Sequence, residues 1–297
     1  KTGFKKLDKT LLNGIEWNRI FTIAAMSGSG KSVLCEQLKR NIINLNPKED
    51  IDVLSFEFEM PTREQMLRNI SGRTRKSIKE ILSAEEDKGN LSDKDFEEVT
   101  KEAERFNRYP IWSVETVGSV EQIVQTILEF IKYRKSSERK AGLVVTIDHV
   151  LLTLGKQGED ERKIIAFLYR TIVRLKKQLI AMDIPVIFIL LSQLNRNVEY
   201  PERKLNPDMN YPNRTDLFGS SDIFMCSDYV LVLHKPAILQ LRSYGPPKEG
   251  FPQGLPIYNP KNERQAMIYF HLLKQRAGEP KIMSMLDNFK NSKIDEY

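Results

Sequence analysis

The stretch RIFTIAAMSGSGKSVLCEQLKRNIINL (Arg19–Leu45) constrains the fold more than any other. It opens on a short apolar run, Arg19–Ala25, of the length and character of a buried strand. It closes on Val33, Leu34, Leu38, Ile42 and Leu45, which recur at helical spacing. Between them lies AMSGSGKS, the phosphate-loop pattern G-x-x-x-x-G-K-[ST] with Ala25 in the first position. A loop that leaves a strand and opens a helix aims its backbone N–H groups at an anion on the positive helix terminus. Ser27, Gly28, Ser29, Gly30 and Lys31 are therefore expected to cradle a β-phosphate. Lys31 would reach the β- and γ-phosphates, and Ser32 would ligate Mg²⁺. The first position only has to leave the strand, so alanine is tolerable there at negative φ, whereas Gly30 stands where backbone approaches phosphate closely.

Further apolar runs follow at Ile51–Met60, Gly142–Leu152, Ile184–Gln193, Asp228–Lys235 and Ala266–Gln275. Helical stripes separate them, notably Val120, Ile123, Ile127 and Ile131, then Ile165, Leu168, Ile172, Leu175 and Leu179. Strands alternating with helices predict an α/β fold with a mainly parallel central sheet covered on both faces. A charged, helix-favouring excursion occupies about 63–110, with a helix start expected at Ser92. Two segments rich in Pro, Gly and Asn, 195–216 and 236–265, leave strand ends as long loops. Loops of that length in a compact domain are usually functional or disordered.

The chain of 297 residues is 40% hydrophobic and 29% charged, with a net charge of +6. No run approaches a membrane span. Two cysteines and three histidines supply neither a disulfide framework nor a clustered metal site. A cytoplasmic protein is expected, in the host cytoplasm if viral. The basic balance is compatible with a polyanionic partner and equally with a lysine-rich surface.

A triphosphatase needs a second acid near its metal. Asp148 ends the apolar run LVVTID, the expected strand with a terminal aspartate. Glu59, at the end of the second strand, is positioned to orient or deprotonate an attacking water. If the fold resembles that of the recombinase RecA, that strand lies beside the phosphate-loop strand. Glu57 has the same parity and is the rival carboxylate.

With these residues in view, the chain resembles the motor domain of DnaB-type replicative helicases, bacterial or phage. TGFKKLDKTLLNGI, AAMSGSGKS, FEFEMPTREQMLRNI, GNLSDKDFEEV, VVTIDHVLL, IPVIFILLSQLNR and LLKQRAGEP carry the resemblance across essentially the whole chain. Alanine at the loop's opening is frequent in that family. The resemblance implies a single RecA-like P-loop NTPase domain over 1–297, with no N-terminal collar domain. It further implies a homo-oligomeric, hexameric ring on single-stranded DNA that hydrolyses ATP or another nucleoside triphosphate with Mg²⁺. A primase or a helicase loader is a candidate partner, and no membrane is involved.

Carried over by position, Lys31 and Ser32 serve phosphate and metal, Glu59 is the catalytic base and Asp148 the metal-side aspartate. Gln193 is the γ-phosphate sensor, and Lys274 and Arg276 of KQR enter the neighbouring subunit's site. DNA contacts are expected from the loop Gly155–Arg162 and from Arg196, Arg203, Lys204 and Arg214 of the 195–216 loop. The family's D-L-R-E-S-G is here D-L-F-G-S-S, so Phe218 and Gly219 depart from the usual DNA grip. Phe218 could stack on a base, although an aromatic beside a strand is more often core. A RecA-like recombinase or clock-type ATPase, and a ring-forming scaffold or loader-binding protein without motor activity, remain the alternatives.

Overall fold

Strand β1 (Arg19–Ala25) lies inside the sheet, and both of its faces are buried. Ile20 and Ala24 join one core, whereas Phe21, Ile23 and Ala25 join the other, the period-two alternation of a strand between helical layers. The computed structural model describes residues 1–82, 91–136, 141–155, 158–276 and 278–297. Residues 83–90 of the helical excursion, Lys156 and Gln157 of the Gly155–Arg162 loop, and Ala277 beside KQR lie outside them.

The described elements run in chain order as α1 (Lys5–Thr10), β1, α2 (Lys31–Asn44), β2 (Ile51–Glu57), α3 (Thr62–Thr74), α4 (Ile78–Leu82) and α5 (Asp93–Asn107). Then come β3 (Ile111–Val114), α6 (Val120–Ser136), β4 (Gly142–Asp148), α7 (Glu161–Ala181), β5 (Val186–Gln193), α8 (Pro201–Leu205) and α9 (Ser220–Cys226). The chain finishes with β6 (Tyr229–His234), β7 (Tyr258–Asn259), β8 (Asn262–Lys274), β9 (Lys281–Asn288) and β10 (Lys293–Glu296).

The sheet order is β10-β9-β8-β6-β1-β5-β4-β2-β3, with β7 paired to β8. From β6 to β3 all pairings are parallel, and from β6 outward to β10 they are antiparallel. This is the expected α/β architecture with helices on both faces. The α6 and α7 stripes pack on one face, and α1 and α2 on the other. Helix α5 begins where the sequence indicates, with Ser92 and Asp95 closing a reciprocal capping box.

Three expectations change. The second strand does not neighbour β1, because β5 and β4 lie between them. The apolar segments GLVVTID and VIFILLSQ take the central places, whereas β2 carries Asp52, Ser55 and Glu57 and finds polar partners further out. Strand β2 also stops at Glu57, so Phe58, Glu59 and Met60 form a bend beyond it. Finally, β3, β7, β9 and β10 extend the strand set. Each is short or only half-buried, and so lacks a continuous apolar run.

The two long loops are structured. Residues 195–216 hold three short 3₁₀ turns and α8. Residues 236–265 form a strap with its own small core of Leu239, Leu241, Tyr244 and Leu255 against Met267 and Tyr269 of β8. Among the described residues no helix is long and apolar enough to cross a membrane.

Candidate nucleotide site

Strand register brings the sequence-selected residues to one edge of the sheet. Ala25 pairs with Gln193 of β5 and Leu233 of β6, and Glu57 pairs with Asp148. The Phe58 N–H donates to the Asp148 carbonyl at 2.9 Å, which draws the bend carrying Glu59 toward β4. The C-terminal ends of parallel strands are where open α/β sheets bind ligands. There a cavity of about 380 Å³ is lined by Ser27, Gly28, Gly30, Lys31, Ser32, Glu59 and Gln193, among others. The N-terminus of α2 begins at Lys31, directly behind the loop.

Gly28 and Gly30 sit at φ +76° and +92°, conformations open to glycine. A Cβ on Gly30 would also lie 2.3 Å from the Phe289 ring, which belongs to a C-terminal turn folded over the loop. Phe289 and Ser292 line the cavity with Arg68 of α3 and Ile78 of α4. These four escaped the sequence reading. Arg68 lies within a uniformly charged helix, and nothing in the spacing of the C-terminal turn marks it as a cover for the loop.

The electrostatics are those of a desolvated site. Lys31 is buried, which lowers its pKa, while Asp148 and Glu59 act in the opposite sense. Burial pushes Asp148 up to about 6, against the opposing effects of Lys31 and a Ser32 hydrogen bond. Asp148 Oδ1 is buried with no hydrogen-bond partner among the described residues. A hard cation prefers such oxygen donors, so the Ser32 hydroxyl and Asp148 fit Mg²⁺. No cluster of three or more His, Cys, Asp or Glu side chains forms a metal site among the described residues. Phosphate oxygens and water would have to complete the shell.

The two rival glutamates separate cleanly. Glu57 is buried, its Oε1 2.6 Å from Lys39 Nζ, and Lys39 also pairs with Glu36. Ser55 joins the same group. Glu59, by contrast, has a half-exposed side chain at the cavity wall, with Oε2 3.8 Å from His149 Nε2. His149 follows Asp148 and also lies 3.3 Å from the Gln193 side-chain amide. Its position next to a strand-end aspartate was the signal available in the sequence.

Lys274 and Arg276 are far from this cavity. Lys274 pairs with Val230 near the start of β6, and its ammonium donates to the carbonyls of Phe224 and Met225 at the end of α9. Arg276 pairs with Asp228.

Of the basic loop residues, Arg196 and Arg214 are exposed, and Lys204 is partly so. Arg203 is placed differently, half-buried within the loop. Its guanidinium is committed to Asp216 and to the carbonyls of Met209 and Tyr211, so it staples the loop and offers little to a phosphate. Arg214 lies 4.9 Å over the Phe224 ring. Phe218 packs half-buried against the main core with Arg162 over it at 5.7 Å, the bland role for that aromatic. Gly219 sits at φ +79°, a conformation that disfavours a side chain.

The sequence matches the family described as DnaB-like helicase C terminal domain over residues 1–294. It is 25% identical over 278 residues to the replicative DNA helicase DnaB of Pasteurella multocida (strain Pm70), covering 93% of this chain and 51% of that protein. It is 26% identical over 232 residues to a probable replicative DNA helicase of Guillardia theta, covering 77% of this chain and 36% of that one. The chain thus spans about half the length, or less, of these curated relatives. Its fold matches a solved ATPase domain with a TM-score of 0.76 at 19% identity, covering all of this chain and 90% of that one. A DnaB-like replicative helicase, whose structure was described with its interactions with primase, matches with a TM-score of 0.74 at 17% identity, covering all of this chain and 61% of that one.

Proposed function

Because the chain belongs to the family of DnaB-like helicase C-terminal domains, we propose that it is the motor of a replicative-type DNA helicase. In this reading a hexameric ring hydrolyses ATP at its subunit interfaces, moves along single-stranded DNA and parts the duplex ahead. The observation that carries the proposal is the meeting of Lys31, Glu59 and Gln193 on one cavity behind the α2 N-terminus.

The triphosphate would lie along Ser27–Ser32, taking backbone N–H groups and the Lys31 ammonium. Ser32 and Asp148 would hold Mg²⁺, which when bound neutralises phosphate charge. Glu59 is the general base: it stands at the cavity wall with its side chain half-exposed, whereas Glu57 is consumed by Lys39. Gln193 would donate to the γ-phosphate. Its carbonyl accepts from the Phe218 N–H at 3.1 Å, which ties it to the end of the 195–216 loop and so to the proposed DNA contacts. Lys274 and Arg276 would serve a neighbour's site. A primase or a loader is a further candidate partner.

The test is ATP hydrolysis with and without single-stranded DNA, alongside oligomeric state by light scattering. DNA-stimulated hydrolysis by a nucleotide-dependent hexamer is expected. A ring that hydrolyses nothing under either condition would overturn the reading in favour of a scaffold, and a monomer without hydrolysis would overturn both. Homologous strand pairing without unwinding would favour a recombinase.

A further inference from the structure

His149 belongs neither to the phosphate loop nor to the metal pair, yet it stands between the proposed base and the proposed sensor. Its Nδ1 accepts the Leu151 backbone N–H at 3.2 Å, capping the turn Val150–Leu152. A nitrogen that accepts carries no proton, so the ring's one proton is on Nε2. That Nε2 lies 3.3 Å from the Gln193 side-chain nitrogen Nε2 and 3.8 Å from Glu59 Oε2. Two donors cannot bond one another. An Nε2–H beside Gln193 therefore selects the amide orientation that presents Oε1 to His149. The Gln193 NH₂ is then the group left to face the cavity.

We propose that His149 is a positioning residue that orients Gln193 and Glu59 together. The ring is buried and fixed by its own backbone bond, whereas Glu59 sits on an exposed bend and needs a neighbour to aim it. One N–H that faces the Gln193 amide and lies one small side-chain shift from Glu59 makes the orientation of the base depend on that of the sensor. Release of the Gln193 amide toward a γ-phosphate frees Nε2–H for Glu59. This rests on the proposed function, since both roles presuppose hydrolysis.

The test uses the whole chain with His149→Phe, which keeps bulk and removes the donor, and His149→Gln, which restores an N–H near the Nε2 position. His149→Phe should lower kcat roughly 10–100-fold, as loss of an orienting partner commonly does. KM and the affinity for a fluorescent nucleotide should stay within about threefold, because the phosphate loop is untouched. His149→Gln should recover most of kcat. Nitrogen-15 spectra of labelled histidine, without nucleotide, should show His149 protonated at Nε2 alone. An Nδ1–H tautomer, or a His149→Phe variant with wild-type kcat, would overturn the inference. An inactive wild-type protein would instead sink the proposed function, and the tautomer measurement would still judge His149.

Discussion

Arg276 Nη2 lies 2.5 Å from Asp228 Oδ1 at the edge of the sheet opposite the phosphate loop. The other Asp228 oxygen accepts the Ile20 N–H and the Lys176 ammonium, both at 2.8 Å, so the carboxylate is anchored where β1 begins. The loop starts where β1 ends. Five strand steps of ~3.3 Å separate Ile20 from Ala25, roughly 17 Å and more than an arginine side chain spans. Within one chain Arg276 and Lys31 stand at opposite ends of β1.

Arg276→Ala should thus keep nucleotide affinity and lose turnover, by roughly 10³–10⁵-fold if the residue acts as fingers elsewhere do. Lys31→Ala should lose nucleotide at its own loop. Mixing the two proteins creates some interfaces with an intact finger and an intact loop, and hydrolysis should partly return. A nucleotide-bound assembly with Arg276 on its own chain's phosphate would end the in-trans assignment.

The glutamates make opposite predictions. Glu59→Gln should fold normally, bind nucleotide and lose about 10²–10⁴-fold in turnover, the usual cost of removing a general base. Glu57→Gln removes a charge from the buried group around Lys39, which sits against Glu36 and Glu57 with almost no exposure. Breaking one partner of a buried pair typically costs about 3–5 kcal/mol, so that variant should melt well below the wild type. Equal melting temperatures with turnover lost only in Glu57→Gln would reverse the assignment.

This pair also marks the limit of the sequence reading. Glu57 and Glu59 share parity, and only the end of β2 at Glu57 separates them: one stays in the sheet and the other leaves on a bend. Strand ends depend on hydrogen bonds from neighbours, here Phe58 N–H to Asp148, and a single chain of letters does not encode those pairings. The central strands and the α6 and α7 stripes were legible because burial on both faces, or along one stripe, leaves a periodic trace. Strand β10 has four residues, too few for any period. Arg203 looked like a phosphate ligand because the sequence gives no sign of the buried Asp216 it answers.

The strap over 236–265 should loosen in mild acid. Tyr244 is buried between His234 Nδ1 at 2.6 Å and His271 Nε2 at 2.5 Å, tying the strap to β6 and β8. Burial lowers both histidines, His234 to about 3 and His271 well below its usual value. Unfolded histidine titrates near ~6.5, so below that pH the unfolded chain binds protons that the folded one refuses. Stability is therefore fully present above about 6.5 and is lost as pH falls toward 3. Each such histidine contributes up to about 1.4 kcal/mol per pH unit. Urea midpoints should drop between pH 7 and 5, and His234→Asn should flatten the slope. A pH-independent midpoint across that range would contradict the burial argument.

Binding to single-stranded DNA should separate the basic residues of the 195–216 loop by role. Each phosphate neutralised on a single strand contributes roughly 0.7 to the slope of log affinity against log salt. Arg196 is exposed and Lys204 partly so. Replacing both with alanine should make the slope of the assembled, nucleotide-bound protein shallower by about 1.4 for each subunit that meets the strand, with little change in melting. Arg203→Ala should behave differently. It strips a buried Asp216 of its guanidinium and frees the carbonyls of Met209 and Tyr211, so the loop should lose order and the protein should melt earlier. Its effect on affinity should then come through lost loop structure at every salt concentration, as an offset of the line with its slope kept. If Arg203→Ala melts like the wild type and flattens the slope by one phosphate, Arg203 is a DNA ligand after all. If the wild-type line is itself flat, the loop does not meet a polyanion, and the nucleic-acid part of the proposed function falls with it.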